Sequence, residues 1–240
     1  MSGWSAGTAR GVVLRSMILC AGIAEVTLRV EDWPGHLPGQ HVNVRLDSGE
    51  GRRFSIANPS MVGENDIQLA VKSELLQALS IGQQVAVRGP LGDGLVWNAD
   101  PLNLRPLLLI AGGMGIVPMM AIARTWRRRP SRPRMRVIYS VRSADDIVYS
   151  DELRALDTLS DAGVEIIYTR SPAEDGGKRI VGRLSALDLE VYGIPATDHP
   201  ECYVCGPESF VEDVARMLVQ TKHLATSIHT EWDVALKGAS

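Results

Sequence analysis

Three short runs hold the groups best suited to chemistry: Arg52-Arg53-Phe54-Ser55-Ile56-Ala57, Gly112-Gly113-Met114-Gly115-Ile116-Val117-Pro118 and Cys205-Gly206-Pro207. An arginine grips a phosphate through two parallel hydrogen bonds. On a strand, an aromatic two residues further shares the arginine's face and can lie against a ring, and the hydroxyl that follows can reach a ring nitrogen. Glycines at a strand-to-helix turn allow positive φ and close approach of a ligand to the backbone, and the free N–H groups of the next helix attract phosphate. Pro118 suits a first helical turn, where its missing N–H is not needed. Taken singly, each run also has a plainer use: an edge strand with a solvated arginine, a tight turn, a small buried hydrophobe.

These runs need elements to hold them. Up to about residue 100 the chain reads as short β-branched runs at 11–19, 25–30, 41–46, 52–57, 66–71 and 84–88, punctuated by turn formers such as Pro34-Gly35, Pro38-Gly39 and Asn58-Pro59-Ser60. Six short strands with regular turn signals predict an antiparallel barrel, with one helical stretch at 74–79 before the last strand. After Pro101 the rhythm changes. Residues 107–111 are continuously apolar, as expected of a strand covered on both faces, and a helix follows at 118–127. Strands at 136–141, 164–169, 202–205 and 227–232 alternate with helices at 151–159 and 208–219, which predicts a parallel sheet with crossover helices. The expected fold is therefore two-domain: a six-stranded antiparallel β-barrel over residues 1–100 and an α/β parallel-sheet nucleotide-binding domain over residues 101–240, joined by a linker at 98–106.

Bulk properties narrow the function. The chain of 240 residues is 45% hydrophobic and 22% charged, an ordinary core-forming composition. A net charge of −3 gives no general attraction to nucleic acid. Seven arginines fall between Arg124 and Arg136, the densest charge run, and are expected to be a solvated helix end and loop. Roughly 18 Å of helix at ~1.5 Å per residue would separate that run from the glycine loop. No segment reaches the roughly 18 apolar residues of a membrane span, and the N-terminus lacks the order of a signal peptide, so a cytoplasmic location is expected. Cys20, Cys202 and Cys205 are too few for a disulfide framework. Strand geometry sends Cys202 and Cys205 to opposite faces, so their C-x-x-C spacing predicts neither a redox pair nor a metal site.

In this order and spacing the three runs resemble those of the ferredoxin-NADP reductase family, and the resemblance covers most of the chain. It implies an oxidoreductase in which FAD sits on the barrel and NADPH on the α/β domain, NADH being the alternative. The first run resembles R-x-[YF]-S-x-A: Arg52 would hold the flavin phosphate, Phe54 would cover the ring or its ribityl chain, Ser55 would sit near flavin N5, and Ile56 and Ala57 complete the segment. Val71-Lys72-Ser73 resembles a shortened second flavin segment, with Ser73 able to cap the following helix and aim N–H groups at a phosphate. Gly112, Gly113, Met114 and Gly115 resemble the G-G-[TS]-G loop over the pyrophosphate and ribose of the dinucleotide, with Met114 in place of a hydroxyl residue. Thr169-Arg170 resembles the pair that meets the 2′-phosphate of NADPH, a fit for a guanidinium, and Arg142 can add to it. Cys205, Gly206 and Pro207 resemble the loop beside nicotinamide C4, and Glu231, followed by Trp232, resembles a terminal glutamate that closes over the flavin.

On this reading Ser55, Cys205 and Glu231 form the catalytic set, hydride passes from NADPH to FAD, and electrons leave to a small redox protein or a diffusible acceptor, since no C-x4-C-x2-C iron–sulfur run is present. No metal partner, nucleic acid or membrane span is expected. Two alternatives keep the fold: an electron-transfer or regulatory subunit of a larger complex, and a non-catalytic nucleotide-binding module.

Overall fold

The computed structural model describes residues 7–46, 49, 51–59, 64–171 and 180–232. Strands β1 (Ala9–Cys20), β2 (Ile23–Val30), β3 (His41–Arg45), β4 (Gly51–Ser55), β5 (Asp66–Lys72) and β6 (Gln84–Leu91) form one antiparallel sheet in the order β4-β3-β6-β1-β2-β5. A bridge between Ile56 and Leu69 joins its two edges, so the sheet closes into a barrel. Alternate residues fill the inside: Val26 and Leu28 from β2, Val42 and Val44 from β3, Ile67 and Leu69 from β5. Period-2 patterning is what made all six strands legible.

Residues 74–79 do not form the expected helix. A single 3₁₀ turn, Ser73–Leu75, is followed by a return in which Leu79 N–H donates to the Leu75 carbonyl at 3.0 Å. Leu75 and Leu79 are both buried, so their i, i+4 spacing serves a compact turn and not a longer helix.

The second half contains β7 (Leu107–Gly112), α1 (Ile116–Arg127), β8 (Met135–Val141), α2 (Ser150–Asp157), β9 (Val164–Tyr168), α3 (Ala186–Tyr192), β10 (Glu201–Gly206), α4 (Glu208–Gln220) and β11 (Ile228–Trp232). Its five strands are parallel, in the order β11-β10-β7-β8-β9. The apolar run of β7 is explained by its two covered faces. Leu107, Leu109 and Ala111 pack with α1 residues such as Met119 and Ile122, while Leu108 and Ile110 pack with Val211 and Leu218 of α4. Helix α3 was not expected; a Ser185/Asp188 capping box starts it, with Ser185 N–H donating to the Asp188 carboxylate at 2.8 Å.

The cluster under α1 also takes in Ala57 and Ala70 from the barrel and Leu95 and Trp97 from the connection, so apolar packing runs continuously from one sheet to the other. The connection is strapped down. Arg129 donates to the carbonyls of Asp100 (3.0 Å) and Asn103 (3.2 Å) and lies over the Trp97 ring. Arg132 bonds Asp161 and covers Trp126, Arg134 pairs with Asp198, and the half-buried Arg124 pairs with Glu152. Much of the arginine run is thus structural, correcting the expectation of a solvated surface.

Candidate functional site

Between β7 and β10 the strand order reverses: the chain goes from β7 outward through β8 and β9, then returns to the other side of β7 as β10. At such a switch point the loops at the carboxyl ends diverge and leave a crevice, the preferred ligand position in open α/β sheets. The glycine loop ends β7 and Cys205-Gly206-Pro207 ends β10, so the topology brings these two distant runs together at that switch point.

They meet at the level of the backbone. A Cβ on Gly115 would stand 2.1 Å from the Cys205 carbonyl oxygen, so nothing larger than glycine fits without moving one loop. Gly113 has φ +54 and nothing within 4 Å of where its Cβ would be, leaving an exposed stretch of backbone just before α1. With Met114 half-buried beside it and Pro118 in the first turn of α1, the loop fits an open cradle for a dinucleotide pyrophosphate.

Cys205 is buried on the α1 side of the sheet and Cys202 on the α4 side, as alternation along a strand requires. Burial, reinforced by Glu201, pushes the Cys202 thiol up to about 12, so it behaves as a core hydrophobe. Arg142 and Arg170 are exposed at the carboxyl ends of β8 and β9. Thr169 N–H donates to the Val141 carbonyl at 2.8 Å and Arg170 N–H to the Arg142 carbonyl at 3.0 Å, which holds the two arginine backbones together.

On the barrel side the register decides which groups face out. His41 pairs with Ser55, Val42 with Phe54, Asn43 with Arg53 and Val44 with Arg52. Because Val42 and Val44 fill the barrel, Phe54 lies on the same inner side; it is 9% exposed within the barrel core. Ile56 and Ala57 are fully buried, in the barrel core and the inter-sheet cluster respectively. Ser55 and Arg53 are half-buried on the outer face with His41. Val71 is buried and Lys72 exposed. Ser73 is the first residue of its turn and no side chain caps that turn; its N–H donates to the Gly22 carbonyl at 2.9 Å. The expected cap at Ser73 is therefore corrected: the β1–β2 turn takes the donor that a phosphate would need.

Two residues were missed, Arg53 and His41. Arg53 pairs directly with Glu231 of β11 and donates to His41 Nδ1 at 3.2 Å, and Glu231 lies 3.3 Å from the same nitrogen. Glu231 in turn stands beside Cys205 in the β10–β11 register. A continuous series thus leads from Cys205 through Glu231 and Arg53 to His41, the cross-strand partner of Ser55. An imidazole that accepts from a guanidinium must be neutral, and burial together with the Arg53 charge lowers His41 to about 4. Alternation from Ser55 points to Arg53 as its same-face neighbour, which was the available signal; no local pattern marked His41.

Residues 109–216 match the family described as oxidoreductase NAD-binding domain. Ferredoxin–NADP reductase B of Sorangium cellulosum is 30% identical over 204 residues, covering 78% of this chain and 82% of that protein. Flavohemoprotein A of Dictyostelium discoideum is 22% identical over 82% of this chain, which spans 52% of its length. Among solved structures, the flavohem-like FAD/NAD binding domain of nitric oxide dioxygenase from Vibrio cholerae O1 biovar El Tor shares the fold, with a TM-score of 0.79 and 22% identity over 94% of this chain and 98% of that one. With the antiparallel barrel and the parallel sheet in place, the chain belongs to the ferredoxin–NADP reductase family of FAD-dependent NAD(P)H oxidoreductases.

Proposed function

We propose that the chain takes hydride from NADPH onto FAD and delivers electrons to a separate acceptor, with residues 1–100 as the FAD-binding barrel and 101–240 as the NAD(P)-binding domain. The observation that carries this is the series Cys205, Glu231, Arg53 and His41, opposite Ser55, which spans the two sheets at the crevice. When bound, the two cofactors supply hydride transfer and stepwise electron release; the protein supplies position and a dry junction. Ser55 and Cys205 hold the reacting edges from opposite sides. Glu231, tied to Arg53, closes β11 over the barrel face. Arg52 and Lys72 serve the flavin phosphates, and Gly113 with the first turn of α1 serves the dinucleotide.

Arg142, Thr169 and Arg170 form the 2′-phosphate subsite, supported by their shared backbone bonds and exposed guanidinium groups. The acceptor is a small redox protein or a diffusible oxidant, in keeping with the name of the Sorangium relative. Purified protein is expected to be yellow and to bleach anaerobically on addition of NADPH; protein that stays colourless after added FAD sinks the reading.

One feature favours a second reading. The flavin segment at 71–76 is short and the Ser73 N–H is already used, which suits a subunit that holds its flavin only inside a larger complex. Gel filtration with NADPH turnover of the isolated chain separates the two.

A further inference from the structure

Arg124 lies near the end of α1, whose first turn follows the glycine loop. Its side chain is 16% exposed and reaches both halves of the molecule. Toward α2, Nε and Nη2 bond the Glu152 carboxylate at 2.8 and 2.5 Å. Toward the barrel, Nη1 donates to the Ala57 carbonyl at 3.0 Å and to Gln68 Oε1 at 3.1 Å. The guanidinium also covers the Tyr149 ring at 4.8 Å and stands 3.5 Å from the carboxylate of Glu25, a barrel residue 8% exposed.

Ala57 follows Ser55 by two residues, so one side chain connects the segment that carries Ser55 to the helix that follows Gly113 and Gly115. The other packing of α1 on the barrel, Ala57 and Ala70 against the α1 cluster, is apolar and non-directional, and the second directional contact between the sheets, Arg53 with Glu231, is made by β11 and not by α1. A planar guanidinium with bonds in two directions selects one rotation between the halves.

We infer that Arg124 is a positioning residue that fixes the angle between the barrel and the α/β domain, and with it the approach of the two cofactor half-sites. The inference rests on the proposed function only for its catalytic consequence; the tether itself belongs to the protein without cofactors. Removing Arg124 alone strands the buried Glu25 carboxylate, a change that can unfold the chain, so the companion variant is R124Q with E25Q.

The experiment places one spin label on each domain, at exposed Arg45 and Arg216, and measures the inter-label distance distribution in wild type, R124K, R124Q and R124Q/E25Q without cofactors. Stopped-flow flavin reduction under NADPH follows, expressed per bound flavin. The expected result is a broader distribution in both glutamine variants, partial narrowing in R124K, and a limiting reduction rate lower by roughly 10- to 100-fold with little change in NADPH affinity. A distribution as narrow as wild type in R124Q/E25Q overturns the inference whatever the activity. Broadening in a protein whose wild type is never reduced by NADPH supports the tether and overturns the proposed function instead.

Discussion

Gly115 and Cys205 pass each other so closely that the carbonyl oxygen of Cys205 occupies the space a Cβ on Gly115 would need, at 2.1 Å. This crossing joins the loop proposed to hold the dinucleotide phosphates to the loop proposed to lie beside the reacting atoms, so a change at Gly115 is felt at both.

For Gly115→Ala the backbone must shift by more than side-chain adjustment allows, because the obstructing atom is itself backbone. Affinity for NADP+ is expected to fall about tenfold or more, equivalent to ~1.4 kcal/mol per decade, with flavin content retained. Titration of NADP+ by difference absorbance checks this, and unchanged affinity refutes the crossing as the dinucleotide site.

Arg170→Ala removes one exposed guanidinium at the end of β9. A charge-assisted bond contributes about 1.5–3 kcal/mol, so KM for NADPH should rise by roughly one to two orders of magnitude while KM for NADH barely moves. Equal effects on both dinucleotides dismiss the 2′-phosphate assignment.

Glu231→Gln keeps shape but deletes the charge that Arg53 pairs with. Flavin reduction is expected to slow on the order of tenfold, since β11 loses its directional hold on the barrel, with flavin content and Tm little changed. A rate equal to wild type in stopped-flow excludes Glu231 from the catalytic set.

His41 yields a pH prediction. Its folded value is lowered to about 4 from an ordinary 6.5, so the neutral form belongs to the fold. The contribution is complete above pH 6.5 and is lost as pH falls toward 4, because the unfolded chain takes up the proton first. Tm measured across that interval should therefore decline more steeply for wild type than for His41→Gln, and parallel curves would falsify the half-buried neutral imidazole.

Much was readable from order and periodicity alone. Alternation marked the six barrel strands, the unbroken apolar run 107–111 marked a strand covered on both faces, and the glycine-rich turn after it marked the start of α1. These are local signals, since a residue's neighbours two, three or four positions away decide which face it shares. The same locality explains the failures. Leu75 and Leu79 imitate a helical face that a turn satisfies equally well, and α3 went unseen because its signal was a capping box, Ser185 with Asp188, and not an apolar stripe.

Residue types and chain order determined the chemistry available: arginine and hydroxyl on one strand, glycines before a helix, a cysteine ahead of Gly-Pro, a late glutamate. Tertiary structure alone decided which of them meet. Cross-strand register turned Phe54 inward and Arg53 outward, parallel pairing set Glu231 beside Cys205, and strand-order reversal put the glycine loop against β10. Each depends on pairing between segments distant in the chain, where a one-residue slip reverses every side chain, and local sequence does not encode that partner choice.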